Sequence, residues 1–215
     1  MTTSFPPWTD EHEMIRRTVR QFALDRLAPH RHEWDKKGEW PAREVFQEMA
    51  ELGLLGIKVD PKYDGMGLDW WANTAFVEEL TWSRNAGVVM SILVNSDMAT
   101  GVIDEIGTHE QKEEFLAPVV RGEKIGALGI TEPGAGSDVS NIQTKAVEDG
   151  DDFVINGAKT FITNGSFADF ITLAVRTGEQ GFGGISLVLF PTDTKGFSVG
   201  RKLDKLGTRS VDSSE

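Results

Sequence analysis

Two stretches decide the interpretation of this chain: LGITEPGAGSD at residues 128–138 and NGAKTFITNG at residues 156–165. The first places a short apolar run, a threonine and a glycine-rich turn in immediate succession. Backbone N–H groups of such a turn can converge on an anion, because glycine has no Cβ atom that would block the approach of the anion to the backbone. A diphosphate could bind there, but from these residues alone an ordinary tight turn is the favoured interpretation.

The second stretch combines an aromatic ring and a hydroxyl two residues apart. On a β-strand Phe161 and Thr163 face the same side, so they could present a flat surface and a hydrogen-bond donor to one heteroaromatic ring. The alternative is that Phe161 belongs to the core and Thr163 is an ordinary strand former.

The periodicity of apolar residues changes near Gly126. Before it, helical stripes dominate: one helix is expected from Glu11 to Leu27 with Thr9 or Asp10 as N-cap, and Thr108-x-x-Gln111 is a capping box. After it come short apolar runs separated by Asp, Asn and Gly, at residues 153–155, 160–163, 171–175 and 185–190. We predict an α+β protein: a helical domain over residues 1–125, then an antiparallel β-barrel over residues 126–215.

Composition narrows the function classes. The chain has 22 basic and 34 acidic residues, a net charge of -12, which argues against nucleic acid as a partner. It has no cysteine, and its four histidines lack metal-ligand spacing, so we expect no metal site and surface or half-buried histidines. Residues 1–7 show no secretory signal, and no run of 18 apolar residues predicts a membrane span. A cytoplasmic location is the simplest expectation.

Together and in this order, the two stretches resemble the acyl-CoA dehydrogenase family. That family carries Thr-Glu-Pro-x-x-Gly-Ser-Asp and then Asn-Gly-x-Lys-x-(aromatic)-Ile-Thr-Asn-Gly in its middle domain, and the resemblance extends over essentially the whole chain. It implies FAD as cofactor, acyl-CoA as substrate, an electron-transfer flavoprotein as electron acceptor and, for the full-length family, a homotetramer.

The resemblance also implies roles for single residues. Phe161 stands where the family usually has tryptophan against the isoalloxazine ring, and Thr163 is expected to offer its hydroxyl near flavin N5. The residues expected to line or contact the cofactor are Leu128, Ile130, Thr131, Gly136, Ser137, Phe161 and Thr163. Ser137 is also expected to contact the acyl-CoA.

The reaction of the resembled family is α,β-dehydrogenation of an acyl-CoA thioester to a trans-2-enoyl-CoA. Its base is a glutamate of a C-terminal helical domain, and the chain ends at Glu215, so we assign no catalytic residue and expect residues 1–215 alone to be inactive. Glu132 and Asp138 are expected to hold the turn rather than to act as acid or base. An acyl-CoA oxidase or flavin monooxygenase of the same fold, and a non-catalytic fragment that binds flavin or acyl-CoA, remain open; acyl chain length is not readable.

Overall fold

The computed structural model describes residues 8–215; residues 1–7, in which no secretory signal was found, lie outside the described residues. The α-helices of the first half are α1 (Asp10–Phe22), α2 (Arg31–Lys37), α3 (Ala42–Glu51), α4 (Trp70–Leu80), α5 (Ala86–Leu93), α6 (Gly101–Ile106), α7 (His109–Gln111) and α8 (Ala117–Val120). Wider π-helical turns extend some of them, at Ala23–Leu27, Val94–Ala99 and Lys112–Leu116. The predicted helical first half is therefore confirmed.

A capping box starts helix α1, as the sequence indicates. The Thr9 hydroxyl accepts the N–H of His12, and the N–H of Thr9 donates to His12 Nδ1 at 3.1 Å. The second ring nitrogen of His12 lies 2.9 Å from Asp69, at the start of α4, and the side chain is buried. The expectation of a surface or half-buried histidine is thus wrong for His12, because its ring joins the cap to a second helix.

Helices α5 and α6, with the turn between them, form one continuous helix over Ala86–Ile106. Its length and its mean hydropathy of 1.5 are sufficient for crossing a membrane, although polar residues interrupt the apolar run. Half of that apolar window is buried inside the fold, where Val88 and Ile92 are fully enclosed. Such burial is typical of the core helix of a globular protein. The search for 18 consecutive apolar residues missed this helix, and its length and composition alone do not distinguish a core helix from a membrane span.

The second half is built of strands, although not as an all-antiparallel barrel. Its strands are β1 (Gly126–Gly129), β2 (Lys145–Asp149), β3 (Asp152–Asn156), β4 (Ile162–Thr163), β5 (Phe170–Arg176), β6 (Ile185–Pro191) and β7 (Ser213–Ser214). The hairpins β2–β3 and β5–β6 are antiparallel, but β1 pairs with β5 in parallel and β2 touches the end of β5 in parallel. The sheet is mixed and open, with β4 and β7 as a separate pair. Apolar alternation reports which face is buried and not the direction of the neighbouring strand, which explains the error.

The two halves meet along β5 and the residues before it. The Asp169 carboxylate accepts hydrogen bonds from the two terminal guanidinium nitrogens of Arg43, at 2.8 and 3.0 Å. It also accepts one from the backbone N–H of Ile125, at 2.7 Å. On β5 itself, the Thr172 hydroxyl donates to the carbonyl of Ala99 at 2.7 Å. The long core helix is therefore fixed directly to the sheet that carries the two motifs.

Within the helical half, the carboxylate of Glu79 on α4 is fully buried. It accepts hydrogen bonds from Arg16 at 2.9 Å and from Arg20 at 2.8 Å, both on α1. Burial raises the pKa of Glu79, but the hydrogen bonds from the two arginines lower it further, so the net shift is downward. The ion pair therefore fixes α1 against α4 in its charged form.

Replacing Glu79 with Gln should reduce stability by about 3 kcal/mol, because it removes the charge on which two guanidinium groups depend. Glu78→Gln is the matched control: its side chain is 57% exposed and 3.6 Å from Arg16, so we expect a loss below about 1 kcal/mol. Urea unfolding of both variants measures the difference. Equal losses would show that the buried pair contributes no more than a surface one.

Candidate functional site

The two sequence motifs are adjacent in the fold. The N–H of Thr160 donates to the carbonyl of Thr131 at 2.8 Å, and Lys159 Nζ donates to the carbonyl of Ile130 at 3.0 Å. Lys159 also forms an ion pair with Glu132 at 2.8 Å. Three contacts thus join the residues that follow β1 to the segment that precedes Phe161, so the two motifs are neighbours in the fold.

The ion pair between Lys159 and Glu132 is buried and fully hydrogen-bonded on its acidic side. Glu132 also accepts the N–H groups of Gln143 at 2.6 Å and Thr144 at 2.9 Å. Burial raises the pKa of Glu132, but the hydrogen bonds from Lys159, Thr144 and Gln143 outweigh it and lower the pKa to about 2. For Lys159, burial outweighs the attraction of Glu132 and lowers its pKa. This arrangement corresponds to the structural role expected for Glu132.

The glycine-rich turn is closed at its base and open beyond it. Glu132 and Ala135 exchange two backbone hydrogen bonds, of 2.9 and 3.1 Å. Within residues 8–215, the N–H groups of Gly134, Gly136 and Ser137 donate to no acceptor. A Cβ atom on Gly134 or Gly136 would meet nothing within 4 Å. Unpaired N–H donors on an exposed turn are the donor set that an anionic group such as a diphosphate requires.

Phe161 presents its ring to solvent by a route that the sequence does not predict. Its backbone is left-handed, with φ of 61°, and its side chain is 66% exposed. Strand β4 contains only Ile162 and Thr163, so strand alternation does not place Phe161 and Thr163 on one side. That geometric premise is wrong, although the structure does provide an exposed aromatic residue two positions before a half-buried threonine.

The remaining predicted residues follow the course of the first motif. Leu128 lies in β1, Ile130 and Thr131 follow it directly, and all three are half-buried. Gly136 and Ser137 lie on the exposed turn. The site offers apolar side chains, free backbone donors, one aromatic ring and the hydroxyl groups of Thr131, Ser137 and Thr163, which suits binding and orienting a ligand rather than attacking it.

Sequence reasoning missed two residues of the second motif, Lys159 and Asn164. Lys159 is buried against Glu132, and Asn164 is fully buried although it stands in an Asn-Gly turn signal. The exact spacing of the motif was the available signal for Lys159. Nothing in the local pattern distinguishes a buried turn asparagine from an exposed one.

Comparisons with known proteins match both halves. The acyl-CoA dehydrogenase N-terminal domain matches residues 9–123, and the acyl-CoA dehydrogenase middle domain matches residues 127–215. The mitochondrial long-chain specific acyl-CoA dehydrogenase of Mus musculus is 38% identical over 211 residues, 97% of this chain and 48% of that protein. The short-chain specific enzyme of Clostridium acetobutylicum is 40% identical over 209 residues, 96% of this chain and 54% of that protein.

A solved structure has the same fold. The FAD complex of PigA superposes with a TM-score of 0.90 at 27% identity, and the match covers 96% of this chain and 54% of that one. The chain spans about half the length of the curated relatives it matches. Because both domain matches occur in order and together span nearly all of its residues, the chain belongs to the acyl-CoA dehydrogenase family.

Proposed function

We propose that the protein is an FAD-dependent acyl-CoA dehydrogenase, which converts acyl-CoA thioesters to trans-2-enoyl-CoA. Residues 1–215 contribute the wall that holds and orients the flavin. One observation carries the proposal: the hydrogen bonds of Thr160 and Lys159 to residues 130–131 join two motifs, one of which has a turn with unpaired N–H groups and the other an exposed aromatic residue.

Each predicted residue has a role suited to its surroundings. The N–H groups of Gly136 and Ser137 would bind a diphosphate of FAD or acyl-CoA, and the Phe161 ring would lie against the isoalloxazine. Thr163 would direct its hydroxyl toward the reactive edge of the ring, while Leu128 and Ile130 cover its apolar part. When bound, FAD supplies the redox chemistry by accepting a hydride equivalent from the substrate β-carbon.

The base that removes the α-proton is neither carboxylate of the first motif. Glu132 has a pKa of about 2 and accepts hydrogen bonds from a lysine and two backbone N–H groups, so it is a poor proton acceptor. Asp138 is exposed and accepts the hydroxyl of Ser140. We place the base outside residues 1–215, in the portion of the relatives' length that this chain does not span.

The acyl chain length stays open. The long-chain enzyme of Mus musculus and the short-chain enzyme of Clostridium acetobutylicum are almost equally similar to this chain, at 38% and 40% identity. An electron-transfer flavoprotein as electron acceptor and a homotetrameric assembly are part of the proposal, supported by the family assignment.

Anaerobic mixing of the FAD-loaded, full-length gene product with butyryl-CoA or palmitoyl-CoA tests the function. We expect the flavin absorbance to bleach at an enzyme-like rate with at least one of the two substrates. Rapid hydrogen peroxide formation in air would identify an oxidase instead. Absence of bleaching with acyl-CoA of any length would overturn the proposal.

Phe161→Ala should weaken FAD binding about 10- to 100-fold, because stacking of an aromatic ring on a base contributes roughly 1–3 kcal/mol. Phe182→Ala is the control: this residue is 72% exposed, at the start of a short 3-10 turn outside both motifs, and the loss of its ring should leave FAD binding unchanged. Titration of the FAD-free protein with FAD measures both dissociation constants. Equal affinities of the two variants would remove Phe161 from the flavin site.

Glu132→Gln should cost about 3 kcal/mol of stability at neutral pH, since the pKa falls from 4.5 to about 2 on folding. Because the pKa of Glu132 is lower in the folded state, its charged carboxylate stabilises the folded protein fully above pH 4.5. This contribution is lost as the pH falls toward 2. Wild-type stability should therefore decrease across that window, whereas the variant should show a flatter profile. Glu148→Gln, at an exposed position of β2, is the control for charge removal. Denaturant unfolding at several pH values measures the profiles, and identical slopes would contradict the buried role.

A further inference from the structure

The turn that follows the exposed aromatic ring is strained at both ends. Phe161 has φ of 61° and Asn164 has φ of 67°, and they bracket Ile162 and Thr163. Asparagine tolerates the left-handed region, but a bulky aromatic residue rarely adopts it. A strained backbone persists only where its surroundings over-determine it, so some contact outside the turn has to hold it.

The side chain of Asn164 provides that contact. It is fully buried, and its Nδ2 donates to the carbonyl of Ser91 at 3.0 Å and to the carbonyl of Gly126 at 3.3 Å. Its Oδ1 accepts the hydroxyl of Ser91. One carboxamide therefore connects the turn to the core helix and to the start of β1.

Gly126 is fixed from both of its backbone groups. Its carbonyl accepts from Asn164, and its N–H donates to Asn95 Oδ1 at 2.8 Å. A Cβ atom at this position would lie 2.9 Å from the Phe170 ring and 3.0 Å from Ala99, so the strand has to begin with glycine. The close approach brings β1 within reach of both amides.

Both anchors lie on the same face of one helix. Ser91 and Asn95 are four residues apart on the continuous helix Ala86–Ile106, so their side chains are neighbours on its surface. Ser91 holds the turn that carries Thr163, and Asn95 holds the strand that carries the first motif. The helix is thus the common reference for the two segments that the proposed function places against one flavin.

We propose that Asn164 is a positioning residue for the flavin: without touching the cofactor, it fixes Phe161 and Thr163 relative to β1 through the core helix. The inference rests on the proposed function and assigns a role to a residue that supplies no group to the ligand. Misplacement of a reacting partner by about 1 Å can lower a rate about 100-fold, so a loosened turn should affect the reaction more than binding.

The variant Asn164→Asp tests this in the full-length, FAD-loaded protein. Aspartate keeps the size, the tolerance for a left-handed backbone and the acceptor toward Ser91, but it turns an oxygen toward two carbonyls. Asn73→Asp is the matched control, because Asn73 is also buried and donates to Asp97 in the helical half, apart from both motifs. The measurements are the unfolding midpoint, the visible spectrum of bound flavin, and the rate of anaerobic flavin reduction by saturating acyl-CoA.

Both variants should lose stability, but only Asn164→Asp should shift the flavin spectrum and slow reduction, by about 100-fold, with little change in KM for acyl-CoA. If its spectrum and rate match wild type at saturating FAD, Asn164 is merely structural and the inference fails. Should Asn164→Asp not fold, Ser91→Ala decides, since it removes one bond of the network and should shift the spectrum and the rate in the same direction.

A wild-type protein that binds FAD but is not reduced refutes the proposed function, and the spectral comparison then decides the positioning role separately. If it binds no FAD, both proposals fail.

Discussion

The β half depends on one buried ion pair above all, that of the Glu132 carboxylate with Lys159. The carboxylate connects the end of β1 to the start of β2 through two backbone N–H groups, and to the second motif through Lys159. No regular hydrogen-bond ladder joins these three segments. A buried ion pair is tolerable only when its remaining hydrogen-bonding capacity is filled, and here the carboxylate has three donors while the lysine also bonds a carbonyl. Because Glu132 anchors the turn from inside, residues 134–137 need no hydrogen bonds of their own beyond its base.

The helical half uses the same device for a different purpose. Glu79 lies between α1 and α4, where two guanidinium groups fix the relative positions of the helices in addition to the contact of His12 with Asp69. Apolar packing favours burial but is non-directional, whereas a charge with two forked donors selects one register. The long core helix of this half is hydrogen-bonded to the β half through three side chains, those of Thr172, Asn95 and Asn164. Local order at the turn of the second motif therefore derives from a helix that is distant in sequence.

How much the sequence predicts depends on the range of the interaction. Capping at Thr9 and Thr108 and the strands β5 and β6 are local, so the pattern of nearby residues was sufficient, whereas β2 was not among the predicted runs. The parallel pairing of β1 with β5 is not local, because β2, β3 and β4 lie between them in sequence. The motif spacing likewise identified the segments of the candidate site, whereas the burial of His12 and Asn164 depends on partners far along the chain. The left-handed backbone of Phe161 is a further consequence of such partners.

The two motifs expose polar N–H groups and an apolar ring, and water solvates only the first of these well. Free N–H groups at Gly136 and Ser137 are solvated at little cost, but the ring of Phe161 exposes apolar area in a strained backbone. The buried side chain of Asn164, three residues further on, bonds to the core helix and to β1 and so holds the turn that follows this ring. A ligand that carries an anionic group and a flat heteroaromatic ring would cover both features at once. The strained turn at residues 161–164 therefore already has, without a ligand, the conformation that binding would stabilise. This is preorganisation: the ordering is complete before the ligand binds.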